Sequence, residues 1–189
     1  MSKLYLYGFG GHSRVIADIL QRQQHTVLGF ATDNPPDGQS HFNTIPIFSA
    51  DDLLEGLNPD ECQWVIAIGN NGIRHRIAQK LQHLGHTFAT VIHPSAQIGS
   101  RVTIAPGTVI MANTVINCDS ALGEHVIVNT GAVIDHDCAI GDFCHIAPGS
   151  TLCGHVTVGA ESWLKVGTTV APCTTLDAHT VSNPGDCLV

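Results

Sequence analysis

The sequence predicts two architectures in series: a small α/β unit on a parallel sheet over residues 1–90, then a parallel β-solenoid over residues 91–189. The first rests on strand-like and helix-like segments that alternate as far as residue 90. The second rests on a six-residue period. Every sixth position, from Ile92 through Ile98, Ile104, Ile110, Ile116, Leu122, Val128, Ile134, Ile140, Ile146, Leu152, Val158, Leu164 and Val170 to Leu176, is Val, Ile or Leu. These three types make up only 47 of the 189 residues. A companion column four residues later is small, as at Ala96, Thr108, Ser120, Ala132, Cys138, Cys144, Ser150, Ser162 and Thr168. Six residues is too long for a helical repeat and fits one short strand plus a tight turn. Such strands, wound in one sense, stack equivalent residues at about 4.8 Å.

In the first half, residues 3–8 (KLYLYG) read as a strand and a glycine turn leads into a helix over 13–23, with Val15, Ile16, Ile19 and Leu20 on one face. Residues 26–30 read as a second strand, and the Pro/Gly/Asn-rich 33–44 as loop. Residues 45–48 form a short edge segment, and Asp51 caps a helical turn through Leu54. The apolar WVIAIG (64–69) is the third strand. A helix follows, with Asn70 or Asn71 as its cap and Gly85 just past its end.

Composition narrows the function classes. Eight basic residues face 16 acidic ones, for a formal charge of −8. Without a Lys/Arg cluster, binding to nucleic acid is not expected. No apolar run approaches the roughly 20 residues of a membrane span, and MSKLYLYGFGG does not read as a secretory leader. Seven scattered cysteines without a C-x-x-C pair read as reduced thiols in a cytoplasmic protein. No His-x4-His pair occurs among the 12 histidines, as a resemblance to the zinc carbonic anhydrases among hexapeptide solenoids would require, so a resident metal is not expected, although a histidine-rich surface could take up zinc adventitiously.

Several residues could carry chemistry. His136 stands between Asp135 and Asp137 at an outward position of its hexad. An imidazole beside a carboxylate is a proton acceptor near neutral pH, or a surface histidine among acids. His145 lies nine residues on, half a turn of a three-sided coil, so the two histidines belong to different sides of one chain. Gly8-Phe9-Gly10-Gly11-His12-Ser13 could hold a phosphate at the helix start. It fails as a dinucleotide fingerprint, because Ser13 occupies the third glycine position. Arg74 reads as a phosphate partner or as a solvated helix charge.

The hexapeptide pattern resembles the left-handed β-helix of hexapeptide acyltransferases, in which three hexads make one coil. With YGFGGHSRVIADIL, GFATDN, AIGNNGIRHRI, VIHPSA and VIVNTGAVIDHDCAIGDFCHIAPGSTLCGHVTVG, the chain resembles more narrowly the sugar acetyltransferases related to sialic acid O-acetyltransferase and to the bacterial UDP-4-amino-sugar N-acetyltransferases. The resemblance implies an acetyl-CoA-dependent N-acetyltransferase of a nucleotide-linked amino sugar, acting as a homotrimer with sites between subunits. It assigns His136 as general base, with Asp137 as its acidic partner. His145, Gly154 and Val166 go to acetyl-CoA, and Gly10, His12, Asp33, Asn70 and Asn129 to the acceptor. Gly154 would offer its N–H to the thioester carbonyl or simply permit a solenoid turn. Asn129 would face the sugar or serve as a ladder or turn residue. Asn70 would contact the acceptor or only cap its helix. Acetylation of a sialic acid or other sugar hydroxyl is the enzyme alternative, and a non-catalytic sugar-nucleotide scaffold the other class. Residues 183–189 read Asn183-Pro184-Gly185-Asp186-Cys187-Leu188-Val189, where the resemblance leads one to expect a Gly-x-Pro-Ala-Lys-like segment near the coenzyme's nucleotide end.

Overall fold

A computed structural model describes residues 3–189. The chain divides into two compact units, the first ending at Val91 and the second spanning Ile92–Val189.

The first unit is a six-stranded sheet. Its elements run β1 (Lys3–Tyr7), α1 (Gly11–Arg22), β2 (Thr26–Thr32), β3 (His41–Phe42), β4 (Ile45–Ser49), α2 (Ala50–Gly56), β5 (Gln63–Ile66), α3 (Asn71–His83) and β6 (Thr87–Phe88). The strand order is β3-β4-β2-β1-β5-β6, parallel except where β3 meets β4. Trp64 is fully buried, with Tyr5 stacked on it at 5.3 Å and Tyr7 tilted against it at 5.9 Å. Several details differ from the sequence reading. The apolar face of α1 is Ile16, Ala17, Ile19 and Leu20, while Val15 is exposed. Part of the expected 33–44 loop is the strand β3, which makes β4 an interior strand and not an edge. Ser49, not Asp51, precedes α2; Asp51 sits in its first turn, where a negative charge suits the helix dipole. Asn70 caps α3 by accepting the Ile73 N–H at 2.9 Å, and Gly85 turns the chain away at φ +84°.

The second unit consists of two-residue strands from β7 (Val91–Ile92) to β22 (Cys187–Leu188), stacked in three parallel faces. Each strand pairs with the one 18 residues on, as Val133–Ile134 does with Thr151–Leu152. One coil is therefore three hexads. The aliphatic column supplies the second residue of each strand and fills the axis: Ile110, Ile116, Val128, Ile134, Ile146, Leu152, Leu164 and Val170 have no exposed surface.

The small column also points inward, at the corners, where there is no room for a longer side chain. Its polar members repeat one hydrogen-bond scheme. The Ser120 hydroxyl donates to the Asp135 carbonyl at 2.8 Å and accepts from the Cys138 N–H at 3.1 Å. Thr108 and Ser162 make the same two bonds, 15 and 18 residues ahead. Cys138 and Cys144 place their thiols on the carbonyls of Cys153 and Gly159 in the same way. The cysteines of this column are thus structural substitutes for serine. Ser120→Ala strips a buried N–H and a carbonyl of their shared partner and is expected to cost about 1–3 kcal/mol. Ser120→Cys should cost less, because the chain itself places thiols at equivalent corners. Denaturant unfolding midpoints of the two variants measure the difference.

Candidate active site

The predicted site residues fall into three groups. The first lines a cleft of about 520 Å³ above the carboxyl ends of β1, β2 and β5, where Gly10, His12 and Asp33 meet Gly69. This is where an open parallel sheet binds ligands. Gly8 is required in the loop, at φ +111° with the Ile68 side chain 2.8 Å from where a Cβ would stand. Gly10 is extended and faces open space, so no turn demands a glycine there. The Tyr7 hydroxyl donates to Asp33 Oδ1 at 2.5 Å, and burial with that carboxylate pushes the Tyr7 pKa up. His12 is held neutral, its pKa lowered to about 4 by burial and by the Arg74 charge. Its Nε2 is buried without a hydrogen-bond partner, which fits a site for a bound ligand group.

Two expectations change here. Arg74 is neither solvated nor a phosphate ligand. It is buried, with its guanidinium on the carbonyls of Ile68 and Gly69 and on Asn71 Oδ1, bracing the loop before α3. The cation that lines the cleft is Arg76, two residues on. The side-chain oxygen of Asn70 is taken up by the helix-cap bond, while Gly69 and Ile73 on either side of it line the cleft.

The second group sits at the corner that follows Val133–Ile134. His136 Nδ1 lies 2.7 Å from Asp137 Oδ2, and its Nε2 is 4.0 Å from Asp135 Oδ2. With the Nδ1 proton engaged by Asp137, Nε2 keeps its lone pair free. The side chain is 46% exposed. Asp135 is oriented in turn: its Oδ1 accepts from Asn117 Nδ2 and from the His136 N–H, both at 2.8 Å, which lowers its pKa. One coil beyond His136 lies Gly154, and a Cβ there would stand 2.7 Å from His136 Cε1. Gly154 has no positive φ, so it is not a turn glycine. Its bare Cα makes the recess in which the imidazole rests.

His155 was not singled out in the sequence. It stands one coil beyond Asp137, with Nε2 3.8 Å from the same Asp137 oxygen and its ring edge-on to His136 at 5.3 Å. On the other side of Asp137 in this column, Asp119 takes a bidentate bond from Arg101 at 2.6 and 2.7 Å.

The third group lies on the face opposite this corner. His145, 8% exposed, stacks on Trp163 at 5.8 Å with the rings almost parallel. Asn129 Nδ2 lies 3.2 Å from His145 Nε2, and Asn129 Oδ1 accepts from the Thr130 N–H. Asn129 is therefore brought to His145. Val166 is half-exposed in the turn after Trp163–Leu164, and Lys165 Nζ lies over the Trp163 ring at 5.4 Å. Trp163, also absent from the sequence reading, is 18 residues from His145. Gly154, expected to share a role with His145, stands instead beside His136.

The hydrogen bond to Asp137 raises the His136 pKa above 6.5, with the charges of Asp135, Asp137 and Asp119 adding to the effect against partial desolvation. The proton is therefore held to higher pH than on a free imidazole. A pH titration of the His136 ring signals by NMR should place its midpoint above 6.5, and Asp137→Asn should move it down.

Residues 3–81 match the PglD N-terminal domain family, and residues 119–154 the bacterial transferase hexapeptide family of six repeats. The chain is 34% identical over 115 residues to UDP-N-acetylbacillosamine N-acetyltransferase of Bacillus subtilis (strain 168), a match that spans 59% of this chain and 52% of that protein. Among solved structures, PerB from Caulobacter crescentus in complex with CoA and GDP-perosamine is similar at 33% identity and a TM-score of 0.92, over 100% of this chain and 89% of that one. The acetyltransferase domain of PglB from Neisseria gonorrhoeae FA1090 is similar at 34% identity and a TM-score of 0.90, over 100% and 92%. A parallel-sheet unit followed by a coil of hexads agrees with these matches, and the chain belongs to the hexapeptide-repeat sugar acetyltransferase family.

Proposed function

We propose that this protein transfers the acetyl group of acetyl-CoA to the amino group of a nucleotide-activated amino sugar, of the UDP-4-amino-sugar type, with His136 as general base. The observation that carries this reading is the His136–Asp137 pair: Nδ1 anchored at 2.7 Å, Nε2 open, and a half-exposed ring set in the Gly154 recess. The relatives support the substrate class, since they include an N-acetyltransferase of a UDP-linked sugar and a protein in complex with CoA and GDP-perosamine. In the first unit, the unpartnered Nε2 of His12, the Asp33 carboxylate and the Arg76 cation line one cleft. They suit a ligand that carries both hydroxyls and phosphates.

In the reaction, the sugar amine adds to the thioester carbonyl and its N–H proton passes to His136 Nε2. The resulting imidazolium is stabilised by Asp137 and Asp135. The tetrahedral intermediate then expels the coenzyme thiolate, which takes that proton back. The Gly154 N–H, beside the ring, serves as donor to the developing oxyanion. Direct transfer is favoured by the state of the nearby thiols. Cys138 and Cys144 are buried at corners with their sulfurs on backbone carbonyls, and burial raises the Cys138 pKa. Neither is a nucleophile poised beside His136.

The same reading calls for a homotrimer. His136 occupies the corner opposite the face that carries His145, so one acetyl-CoA molecule spans both roles only between neighbouring coils of different copies. All seven cysteines are free thiols, which suits the reducing cytoplasm; among the described residues no helix is long and apolar enough to cross a membrane.

Coenzyme A release with a panel of acceptors tests the assignment. UDP-linked amino sugars should support it, and His136→Ala should lower kcat roughly 10²–10⁴-fold. Release only with sialic acid or another hydroxyl acceptor, or with none, would overturn it. Sedimentation of the active species should give a trimer, and a fully active monomer would remove the shared site.

A further inference from the structure

We propose that His136, Asp137 and His155 form a binding site for a divalent transition metal ion, zinc foremost, and that the bound ion blocks the transfer reaction. The three side chains meet because the coil stacks Asp137 directly beneath His155. Asp137 Oδ2 is 2.7 Å from His136 Nδ1 and 3.8 Å from His155 Nε2. One ligand atom from each residue lies within 4.8 Å of the other two. Tetrahedral zinc, with bonds of about 2.0–2.1 Å to nitrogen and oxygen, holds its ligand atoms about 3.3 Å apart. The Asp137–His136 pair must open by about half an ångström and the Asp137–His155 pair close by about as much. Side chains that are 43–60% exposed make such rotations readily, and water reaches the fourth position.

The donor set decides the kind of ion. Two imidazoles and one carboxylate suit zinc, copper and nickel, whereas magnesium and calcium demand more oxygen ligands. The surroundings favour a cation: Asp135 Oδ2 is 4.0 Å from His136 Nε2, and Asp119 stands one coil below Asp137. Arg101, in a bidentate pair with Asp119, largely offsets that second charge, so Asp135 is the outer carboxylate that counts.

Binding has a direct chemical consequence. An ion on Nδ1 takes the place of the proton that Asp137 holds there, and the neutral imidazole then carries its proton on Nε2. That nitrogen no longer accepts one from a substrate. This consequence rests on the reading of His136 as base, whereas the binding itself does not.

The test uses the full chain and His155→Asn, a substitution that tolerates the left-handed backbone of that corner, at φ +59°. Calorimetric titration with zinc chloride, and with magnesium chloride as control, reads binding. Acetyl transfer at increasing zinc reads inhibition. The expected result is one tight zinc ion per chain, no comparable magnesium binding, and zinc affinity at least tenfold weaker in His155→Asn. The half-inhibiting zinc concentration of that variant, read against its own zinc-free rate, should rise by the same factor. Equal zinc affinity in both proteins would overturn the site and move the ion elsewhere, for instance to the exposed thiols of Cys173 and Cys187. Zinc binding that depends on His155 but leaves the transfer rate unchanged would overturn the block and the base assignment, while the metal site itself stood.

Discussion

The structure of the second unit depends on one constraint: each residue must stack on the residue 18 positions away at the spacing of paired strands. Stacking closes the backbone hydrogen bonds between coils, as in the bonds from Asn117 N to the Ile134 carbonyl and from Asp135 N to the Leu152 carbonyl. Two-residue strands could not hold a fold by themselves; repetition and a continuous dry axis make them sufficient. The corner is the narrow part of each coil. A side chain there either fills the remaining space, as Val126, Ala132 and Val156 do, or is short and polar enough to bond the turn of the next coil. Small size and hydrogen-bonding capacity are thus selected by the same geometry, and Ser, Thr and Cys alternate through the column.

The same register builds the His136 corner. His136 has its place because Gly154 lacks a Cβ in the next coil, and Asp137 has two histidine neighbours because His155 stacks upon it. The field at the ring is graded along the column. Asp137 and Asp135 act at close range, while the more distant Asp119 is largely offset by Arg101, whose bonds also hold Asp119 below its usual pKa. The His136 ring thus feels its nearest partners most. Its raised pKa follows from a contact that also fixes the ring orientation, so orientation and basicity have one cause.

Much of this was legible in the residues, and the failures have definite reasons. The hexad located every coil strand from Ile92 to Leu176, because a dry axis admits only branched aliphatic side chains. His136 and Asp137 stood out as sequence neighbours. His155 and Trp163 did not, because their partners Asp137 and His145 are 18 residues away; the signal was the hexad multiplied by three. The turn read for Gly154 as one alternative is not there, and its recess for His136 went unseen, because a glycine's vacant volume is invisible until its neighbour is placed. In the first unit, Arg74 misled because a charge on a helix is ordinarily solvated. Here its place beside exposed loop carbonyls made it a buried brace, and the outward cation fell to Arg76. The short strand β3 escaped because two residues in a polar loop carry no periodicity.

Backbone conformation also explains why acids and imidazoles gather at a corner. The residue that turns each corner takes a left-handed conformation, as Asp119, Asp137 and His155 do at φ 59–63°. Apart from glycine, this region is entered most readily by Asn, Asp and His. Two of these three types are also the side chains that exchange protons near neutral pH and bind zinc. A solenoid corner therefore brings acids and imidazoles into a vertical column at strand spacing, close enough to share protons or an ion. The flat faces between corners, with their strand-forming residues, offer stacking surfaces such as His145 on Trp163. Proton transfer at an edge and ring stacking on a face follow from the same three-sided coil, and their separation across it is the physical reason that a single coil holds only part of the proposed site.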